Sequence, residues 1–266
     1  ADIRMFARAV ATEHPPLAYI ADVRWEEIAP KNEVAFTIIQ SREGPKRSAL
    51  ISPDVCICPD CLAELRDPLN RRFGYPFINC TNCGPRYTII EDVPYDRPAT
   101  TMRRFAMCRA CQEEYDNPVD RRFHAQPNAC WECGPKISLH DRNGNAISCE
   151  DPVAACISLL QEGAILAVKG LGGFHLVADA SNHTAVAGLR KRKHREEKPL
   201  AVMVRDMNAA FEIAHVNDQE AGLLGSRQRP VVLLIKRRSH GLSSLVAPRN
   251  RYLGVMLPYT PLHYLL

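Results

Sequence analysis

The feature that most constrains this chain is a set of four Cys-x-x-Cys pairs, because two thiolates three positions apart can hold one metal ion from a single tight turn. Eighteen residues separate the first pair from the second, and eighteen separate the third from the fourth. Two such pairs complete a tetrahedron, so the spacing predicts two four-cysteine zinc sites. Sequential and interleaved pairing share the same spacing within pairs, and both stay open. The predicted ligands are Cys58, Cys61, Cys80, Cys83, Cys108, Cys111, Cys130 and Cys133.

The four pairs belong to an internal duplication. Each of the first four cysteines recurs fifty positions later, and DPLNRRF at 67–73 matches NPVDRRF at 117–123. A repeat of this length indicates tandem modules. Because a unit of this size buries little apolar surface, bound metal would supply much of its folding free energy.

Other uses of the cysteines fit less well. Disulfides are rare in reducing compartments, and the opening ADIRMFARAV lacks the apolar core of a signal peptide. No apolar run reaches the roughly 18–20 residues that a membrane helix needs, so we expect a cytoplasmic protein that does not bind membranes. Four thiolates also hold iron–sulfur clusters, but paired turns at this spacing favour zinc. Three cysteines lie outside the repeat: Cys156 in an apolar stretch typical of a core, and Cys56 and Cys149 without a partner pattern.

Three regions of different character follow one another, which predicts a multidomain protein of α+β and α/β class. Residues 1–45 begin with a helical pattern at 2–13, and the stretches 20–28 and 34–41 are typical of strands. Residues 46–140 contain the cysteine repeat. Residues 151–266 alternate helical and strand patterns, which indicates an α/β domain with a mixed or parallel sheet.

Two stretches of the third region are candidates for binding an anion. In ILAVKGLGGFH at 165–175, three glycines remove side chains from a turn and let a ligand approach the backbone. In LRKRKHREEKP at 189–199, six basic groups lie together at a helix end beside a strand. A solvated charged surface is the simpler interpretation of such a run. Neither the dinucleotide fingerprint nor the P-loop pattern is present, so a different nucleotide fold is required.

At this point the residues resemble a known family, the HypF carbamoyltransferases, which mature the cyanide ligands of nickel–iron hydrogenases. The resemblance covers the cysteine repeat and the third region and is weak before residue 46. The matching runs are CPDC (58–61), FINCTNCGPRYTII (77–90), PYDRP (94–98), CRAC (108–111), DRRFHAQPNAC (120–130), KGLGGFHLVADA (169–180) and LRKRKHREEKPLAVM (189–203).

The resemblance implies an architecture and a reaction. Residues 1–45 would be the end of an acylphosphatase-like domain with a partial ferredoxin-like fold, 46–140 a zinc-finger-like domain, and 151–266 an incomplete YrdC-like domain. Family members use carbamoyl phosphate and ATP with Mg²⁺, and the implied product of the YrdC-like domain is carbamoyl adenylate. The carbamoyl group then passes to a C-terminal cysteine of the partner protein HypE.

The resemblance also implies site residues. A Lys-x-Arg element overlays Lys193 and Arg195, which would act catalytically by stabilising charge on the phosphate; the spacing to Lys198 is one residue short. Where threonylcarbamoyl-adenylate synthases have PTDTVYGLAADA, this chain has KGLGGFHLVADA, without the hydroxyl and carboxylate groups useful for holding threonine. We therefore expect carbamate as the acceptor. The implied nucleotide- or carbamoyl-binding residues are Lys169, Gly170, Gly172, Gly173, His175 and Lys198.

Several parts of the family pattern have no counterpart in these 266 residues: the acylphosphatase loop with its arginine, the Ser-x-Asn element and the transferase domain. We expect the chain alone to be inactive in the full reaction. Two alternatives stay open. One is a zinc-ribbon module that binds nucleic acid or protein, which the basic flanks Arg71, Arg72, Arg121 and Arg122 permit; the other is a relative of threonylcarbamoyl-adenylate synthase. The mild net charge of +4 does not decide among these functions, although nucleic acid is the less expected partner.

Overall fold

The computed structural model describes residues 2–14, 16–18, 20–29 and 51–266. Near the N-terminus, helix α1 spans Asp2–Thr12, as predicted. The strand predicted at 20–28 is wrong, because residues 20–29 have no regular secondary structure. Trp25 and Ile28 of this stretch are mostly exposed, so its apolar side chains are not buried on one face as they would be in a strand of a sheet. The strand predicted at 34–41 lies outside the described residues, and the ferredoxin-like tail stays a prediction.

The cysteine repeat folds into two similar modules around short helices. Helix α2 spans Pro59–Arg66 and α3 spans Arg109–Asp116, and each starts directly after the first cysteine of its module. Between the two modules lie 3-10 turns at Tyr87–Ile89, Arg97–Ala99 and Thr101–Arg104. A two-stranded antiparallel hairpin follows, with β1 at Leu139–His140 and β2 at Ala146–Ile147.

The rest of the chain alternates helices and strands, as predicted. The helices are α4 (Pro152–Gln161), α5 (His183–Lys193), α6 (Met207–Ile213), α7 (Asp218–Gly225) and α8 (Pro261–Leu265). The strands are β3 (Leu166–Lys169), β4 (Phe174–Val177), β5 (Ala201–Met203), β6 (Ala214–His215), β7 (Val232–Lys236) and β8 (Tyr252–Met256). The sequence patterns did not predict α7 or β8. Cys156, expected in the core, is only half-buried on α4.

The larger sheet is mixed. Its strand order is β5-β8-β7-β6, with β5 and β8 parallel and the other neighbours antiparallel. Strands β3 and β4 form a separate antiparallel pair that frames the glycine-rich turn. The core of this unit contains Leu234, Leu253 and Val255 from the sheet, packed with Val186 of α5 and Leu224 of α7.

The α/β unit contacts the first cysteine module. The backbone N–H of Ile57 donates to the carbonyl of Tyr259 at 3.1 Å, and that of Cys56 donates to Arg227 at 3.2 Å. Tyr264 and Leu265 of α8 pack against the apolar core of the module. Within the described residues, no helix combines the length and apolar character needed to cross a bilayer.

Candidate zinc centres and nucleotide site

The eight repeat cysteines form two groups, Cys58 with Cys61, Cys80 and Cys83, and the second four fifty positions later. The sulfurs of each group all lie within 4.8 Å of one another. Neighbouring pairs therefore share a site, and the sequential arrangement is the one observed.

The sulfur spacing fits zinc. The Sγ atoms of Cys58 and Cys80 are 3.7 Å apart, those of Cys80 and Cys83 are 3.8 Å apart, and the second group has the same 3.7 and 3.8 Å spacings. A tetrahedron with Zn–S bonds of about 2.3 Å has edges of about 3.8 Å, whereas a disulfide needs about 2.05 Å. Four thiolates without an open position make a closed structural site, in which zinc would act as a redox-inert cross-link.

Local backbone donors support the thiolates of the first group. Cys58 is the N-cap of α2, and its sulfur accepts the N–H of Cys61 at 3.4 Å. The N–H of Asn82 points to the sulfur of Cys80, also at 3.4 Å. These donors favour the charged form of the sulfur, which is the form that binds metal.

Each cysteine group also receives a guanidinium from the other module. Arg121 donates from Nη1 to the sulfur of Cys61 at 3.1 Å, and Arg71 donates from Nη2 to the sulfur of Cys111 at 3.2 Å. Four thiolates around one Zn²⁺ carry a net charge of −2, so a nearby cation stabilises each centre. The two contacts are related by the fifty-residue repeat, which makes the interface between modules self-complementary.

The neighbouring arginine of each pair is buried between the modules. Arg72, 2% exposed, donates to both carboxylate oxygens of Glu114 at 2.9 and 2.5 Å and to the carbonyl of Ala129 at 2.9 Å. Arg122, 3% exposed, forms the equivalent ion pair with Glu64. Burial tends to raise the pKa of Glu114, but Arg72 and Arg71 outweigh it and hold the pKa at about 2. These arginines, which the sequence presented as basic flanks for nucleic acid, are engaged inside the protein.

The glycine-rich turn joins β3 and β4. The N–H of Gly170 donates to the carbonyl of Gly173 at 2.8 Å, and Gly172 has a φ of +72°, a left-handed conformation that favours glycine. A Cβ on Gly173 would meet no atom within 4 Å, so the backbone is open there. The ammonium of Lys169 lies 5.1 Å from the ring centroid of Phe174.

Gly170 is a glycine for another reason. A Cβ at this position would lie 2.8 Å from Nε2 of His175 and 2.9 Å from the hydroxyl of Tyr259. That hydroxyl and Nε2 are themselves 2.7 Å apart. The turn therefore brings Gly170 and His175 together, and Tyr259, which the sequence did not single out, completes the contact.

The basic run closes helix α5. His194 ends the helix with a φ of +49°, and the buried guanidinium of Arg190 then donates to the carbonyls of Arg195 (2.7 Å), Glu196 (3.0 Å) and Leu245 (2.5 Å). Arg190, which the sequence presented as one charge among six, thus holds the loop after the helix. In the sequence, the only indication of this role was that Arg190 follows Leu189, on the side of α5 that faces the core.

The predicted catalytic residues differ in their environment. Arg195 donates from Nε to the carbonyl of Lys198 at 3.0 Å and also to that of Pro199, so two of its nitrogens are occupied by the loop. The side chains of Lys193 and Lys198 are exposed and make no ion pair with any other residue that the structure describes. Among the described residues, no hydrogen bond or ion pair joins this run to the glycine turn.

Comparison with known proteins places this geometry in context. The family model described as "HypF finger" matches residues 57–90 and 107–140, which are the two cysteine modules. The model described as "Telomere recombination", of the Sua5, YciO and YrdC proteins, matches residues 158–266.

Similar proteins cover nearly the whole chain. It is 53% identical over 95% of its length to the carbamoyltransferase HypF2 of Cupriavidus necator, and 51% identical over 98% to the carbamoyltransferase HypF of Synechocystis sp.. A crystal structure of full-length HypF in a phosphate- and nucleotide-bound form superposes on all of it, with a TM-score of 0.92 and 46% identity. The chain spans only 32% and 34% of the two relatives and 34% of that structure. With two family models and whole-chain similarity in agreement, this chain belongs to the HypF carbamoyltransferase family.

Proposed function

We propose that the chain is the zinc-finger and adenylate-forming part of a carbamoyltransferase for nickel–iron hydrogenase maturation, acting in the cytoplasm. The observation that carries the proposal is the open glycine turn of the YrdC-like unit. It is supported by the similarity of nearly the whole chain to HypF proteins. The nucleotide-bound form of the similar crystal structure supports a nucleotide site. Free cysteines at metal-binding distances fit a reducing compartment. The proposal includes the domain limits 1–45, 46–140 and 151–266.

The proposed reaction joins carbamate, derived from carbamoyl phosphate, to ATP. A carbamate oxygen attacks the α-phosphorus, the bond from that phosphorus to the bridging oxygen breaks, and pyrophosphate leaves with the negative charge. Lys193 and Lys198 are suited to this step because their ammonium groups are exposed and unpaired among the described residues. Mg²⁺ would neutralise part of the charge of the phosphates. The thiolate of the HypE cysteine would then attack the carbamoyl carbon and expel AMP.

Arg195 would have a supporting role in this scheme. Its bonds to the carbonyls of Lys198 and Pro199 fix the loop on which Lys198 is presented. The glycine turn, in which Gly173 has no atom within 4 Å of its Cβ position, would admit the small carbamoyl group, while Lys169 and His175 border it. The zinc centres would be structural, since all four positions of each tetrahedron are taken by cysteine.

The proposal is tested by ATP–pyrophosphate exchange in the full natural protein, with and without carbamoyl phosphate. Wild-type protein should exchange only when carbamoyl phosphate is present, and Lys193→Met should lower the rate by roughly tenfold or more, as expected for a lost cation at a developing charge. Lys136→Met, an exposed lysine of the zinc modules, serves as the charge-matched control. Exchange stimulated by threonine instead would reject carbamate as the acceptor and favour a threonylcarbamoyl-adenylate synthase.

A further inference from the structure

Three aromatic side chains meet where the α/β unit contacts the first zinc module. The hydroxyl of Tyr259 lies 2.7 Å from Nε2 of His175, and the rings of Tyr259 and His263 have centroids 4.5 Å apart. The rings of His175 and His263 are nearly perpendicular at 5.6 Å. His175 borders the glycine turn, so this cluster forms part of the wall of the proposed site.

The surroundings of the pair indicate the direction of the hydrogen bond. Burial raises the pKa of Tyr259, and the carboxylate of Asp54 raises it further, so the tyrosine keeps its proton. His263 is 8% exposed, and its Nδ1 has no hydrogen-bond partner among the described residues. Burial and the nearby His175 lower the pKa of His263 to about 4, so this ring is neutral at neutral pH. The hydroxyl of Tyr259 has Nε2 of His175, 2.7 Å away, as its hydrogen-bond partner among the described residues, so we assign its proton to this bond and Nε2 as the acceptor.

This direction selects one form of His175. A neutral imidazole carries one proton, so a ring that accepts at Nε2 holds its proton on Nδ1. The Nδ1–H group is then an uncharged donor, suited to the oxygen of a carbamate or carbamoyl group. Such a donor can bind the oxygen without giving up its proton to a labile substrate.

The pair is held tightly against the turn. A Cβ on Gly170 would lie within 2.9 Å of both the Tyr259 hydroxyl and the His175 ring, so the backbone of the turn packs closely beside the two hydrogen-bonded groups. Any residue with a Cβ at position 170 would overlap this pair. The position of the His175 ring is therefore linked to the shape of the carbamoyl-binding turn.

The first zinc module fixes Tyr259 from the other side. The carbonyl of Tyr259 accepts the N–H of Ile57, the residue before the zinc ligand Cys58. Five residues later in the chain, Tyr264 packs in the core of the same module, with the guanidinium of Arg66 5.6 Å from its ring centroid. Tyr259 thus belongs to the α/β unit, but its position is fixed by contacts with the first zinc module.

We infer that Tyr259, held by the first zinc module, is a positioning residue that keeps His175 in the Nδ1–H form facing the carbamoyl group of the adenylation site. The inference rests on the proposed function, because it assigns the bound group as carbamate or carbamoyl. It also gives the zinc module a task in the reaction: the module does not contact the substrate but orients the histidine that does.

The test combines a spectroscopic and a kinetic measurement on Tyr259→Phe, which keeps the ring contact with His263 and removes the hydroxyl. Long-range ¹H–¹⁵N correlation should show His175 as the Nδ1–H form in the wild type and as a mixture of both forms in the variant. In carbamoyl-phosphate-dependent ATP–pyrophosphate exchange by the full natural protein, the KM for carbamoyl phosphate should rise by roughly three- to tenfold, the effect of one neutral hydrogen bond. The KM for ATP should not change. Tyr264→Phe, the same substitution on helix α8, should leave all three measurements at wild-type values.

A second pair of variants covers the case in which Tyr259→Phe does not fold. His175→Asn offers an amide N–H near the position of Nδ1, whereas His175→Leu offers none. The asparagine variant should retain at least threefold more exchange activity than the leucine variant; equal activities would overturn the inference. So would an Nε2–H form of His175 in the wild type, or an unchanged KM in Tyr259→Phe. If the wild-type protein shows no exchange that depends on carbamoyl phosphate, the proposed function is rejected. The spectrum of His175 distinguishes this outcome from failure of the inference, because the Nδ1–H form would still be observed in the wild type.

Discussion

Arg121 of the second zinc module donates a hydrogen bond to the sulfur of Cys61 in the first module, across sixty residues of chain, at 3.1 Å. The duplicated residue Arg71 makes the reciprocal contact with Cys111 at 3.2 Å. The negative charge of each four-cysteine centre is therefore partly compensated by an arginine of the other module. The two modules resemble the subunits of a two-fold dimer, in which residue i contacts j and j contacts i.

This exchange of arginines predicts that Arg121→Gln weakens metal binding in the first module rather than in its own. A hydrogen bond to a charged group contributes about 1.5–3 kcal/mol, so the affinity of the first centre should fall by roughly tenfold or more. Cadmium substitution with ¹¹³Cd NMR gives one resonance for each centre and measures their loss separately during a chelator titration. Arg109→Gln is the control, because Arg109 is exposed and its ion-pair partner among the described residues is Glu113 of the same helix. Selective weakening of the second centre by Arg121→Gln would contradict the prediction.

The buried ion pair between Arg72 and Glu114 predicts a large loss of stability in Glu114→Gln. Arg72 is 2% exposed, and a buried cation without its carboxylate costs about 3–5 kcal/mol. The free energy of unfolding should therefore fall by a large fraction of that amount. Denaturant unfolding of the zinc-loaded protein measures it. Glu113→Gln, one residue earlier on the same helix and mostly exposed, should change the free energy by less than about 1 kcal/mol.

The glycine turn supplies a matched pair of substitutions. Gly170→Ala places a methyl group 2.8 Å from the ring of His175 and 2.9 Å from the hydroxyl of Tyr259. Overpacking of this kind costs about 1–3 kcal/mol. Gly173→Ala, three residues later, meets no atom within 4 Å and should leave the free energy of unfolding nearly unchanged. Thermal unfolding of the two variants checks the difference, and equal melting temperatures would show that the turn is not packed against the ring pair.

Local patterns predicted part of this structure well. The zinc ligands could be read from the sequence because a Cys-x-x-Cys turn is a short-range feature and its repetition is visible directly. Helix α5 was predicted as the helix that ends in the basic run. Helix α7 was missed because Gly222 and Gly225 lower its intrinsic propensity, although Asn217 and Glu220 form a capping box that could have revealed it. Strand β8 was missed because Gly254 interrupts the apolar run, while in the fold it lets Val231 pack close to the sheet.

The long-range contacts could not be predicted in the same way. Arg71 and Arg121 were interpreted as basic flanks that permit nucleic-acid binding, because nothing in a local window shows that each reaches a sulfur forty or sixty residues away. Tyr259 is likewise an ordinary residue of a short apolar segment until the fold brings it 2.7 Å from His175. Metal ligands follow local spacing, whereas the groups that tune them depend on tertiary packing, which a single sequence does not display.

The buried His263 predicts a specific dependence of stability on pH. Burial and His175 lower its pKa in the folded protein to about 4, from 6.5 in a solvated histidine. Below pH 6.5 the unfolded chain binds a proton that the folded protein does not. The contribution of His263 to the free energy of unfolding is therefore fully present above pH 6.5 and is lost as the pH falls toward 4. Between pH 7.5 and 5 the loss should be about 2 kcal/mol. His263→Phe, which keeps an aromatic ring against Tyr259, should remove this part of the pH dependence. Because zinc thiolates titrate in both proteins, the measured quantity is the difference in unfolding free energy between wild type and variant at equal zinc concentration. A difference that stays constant from pH 7.5 to 5 would mean that His263 is protonated equally in the folded and unfolded states.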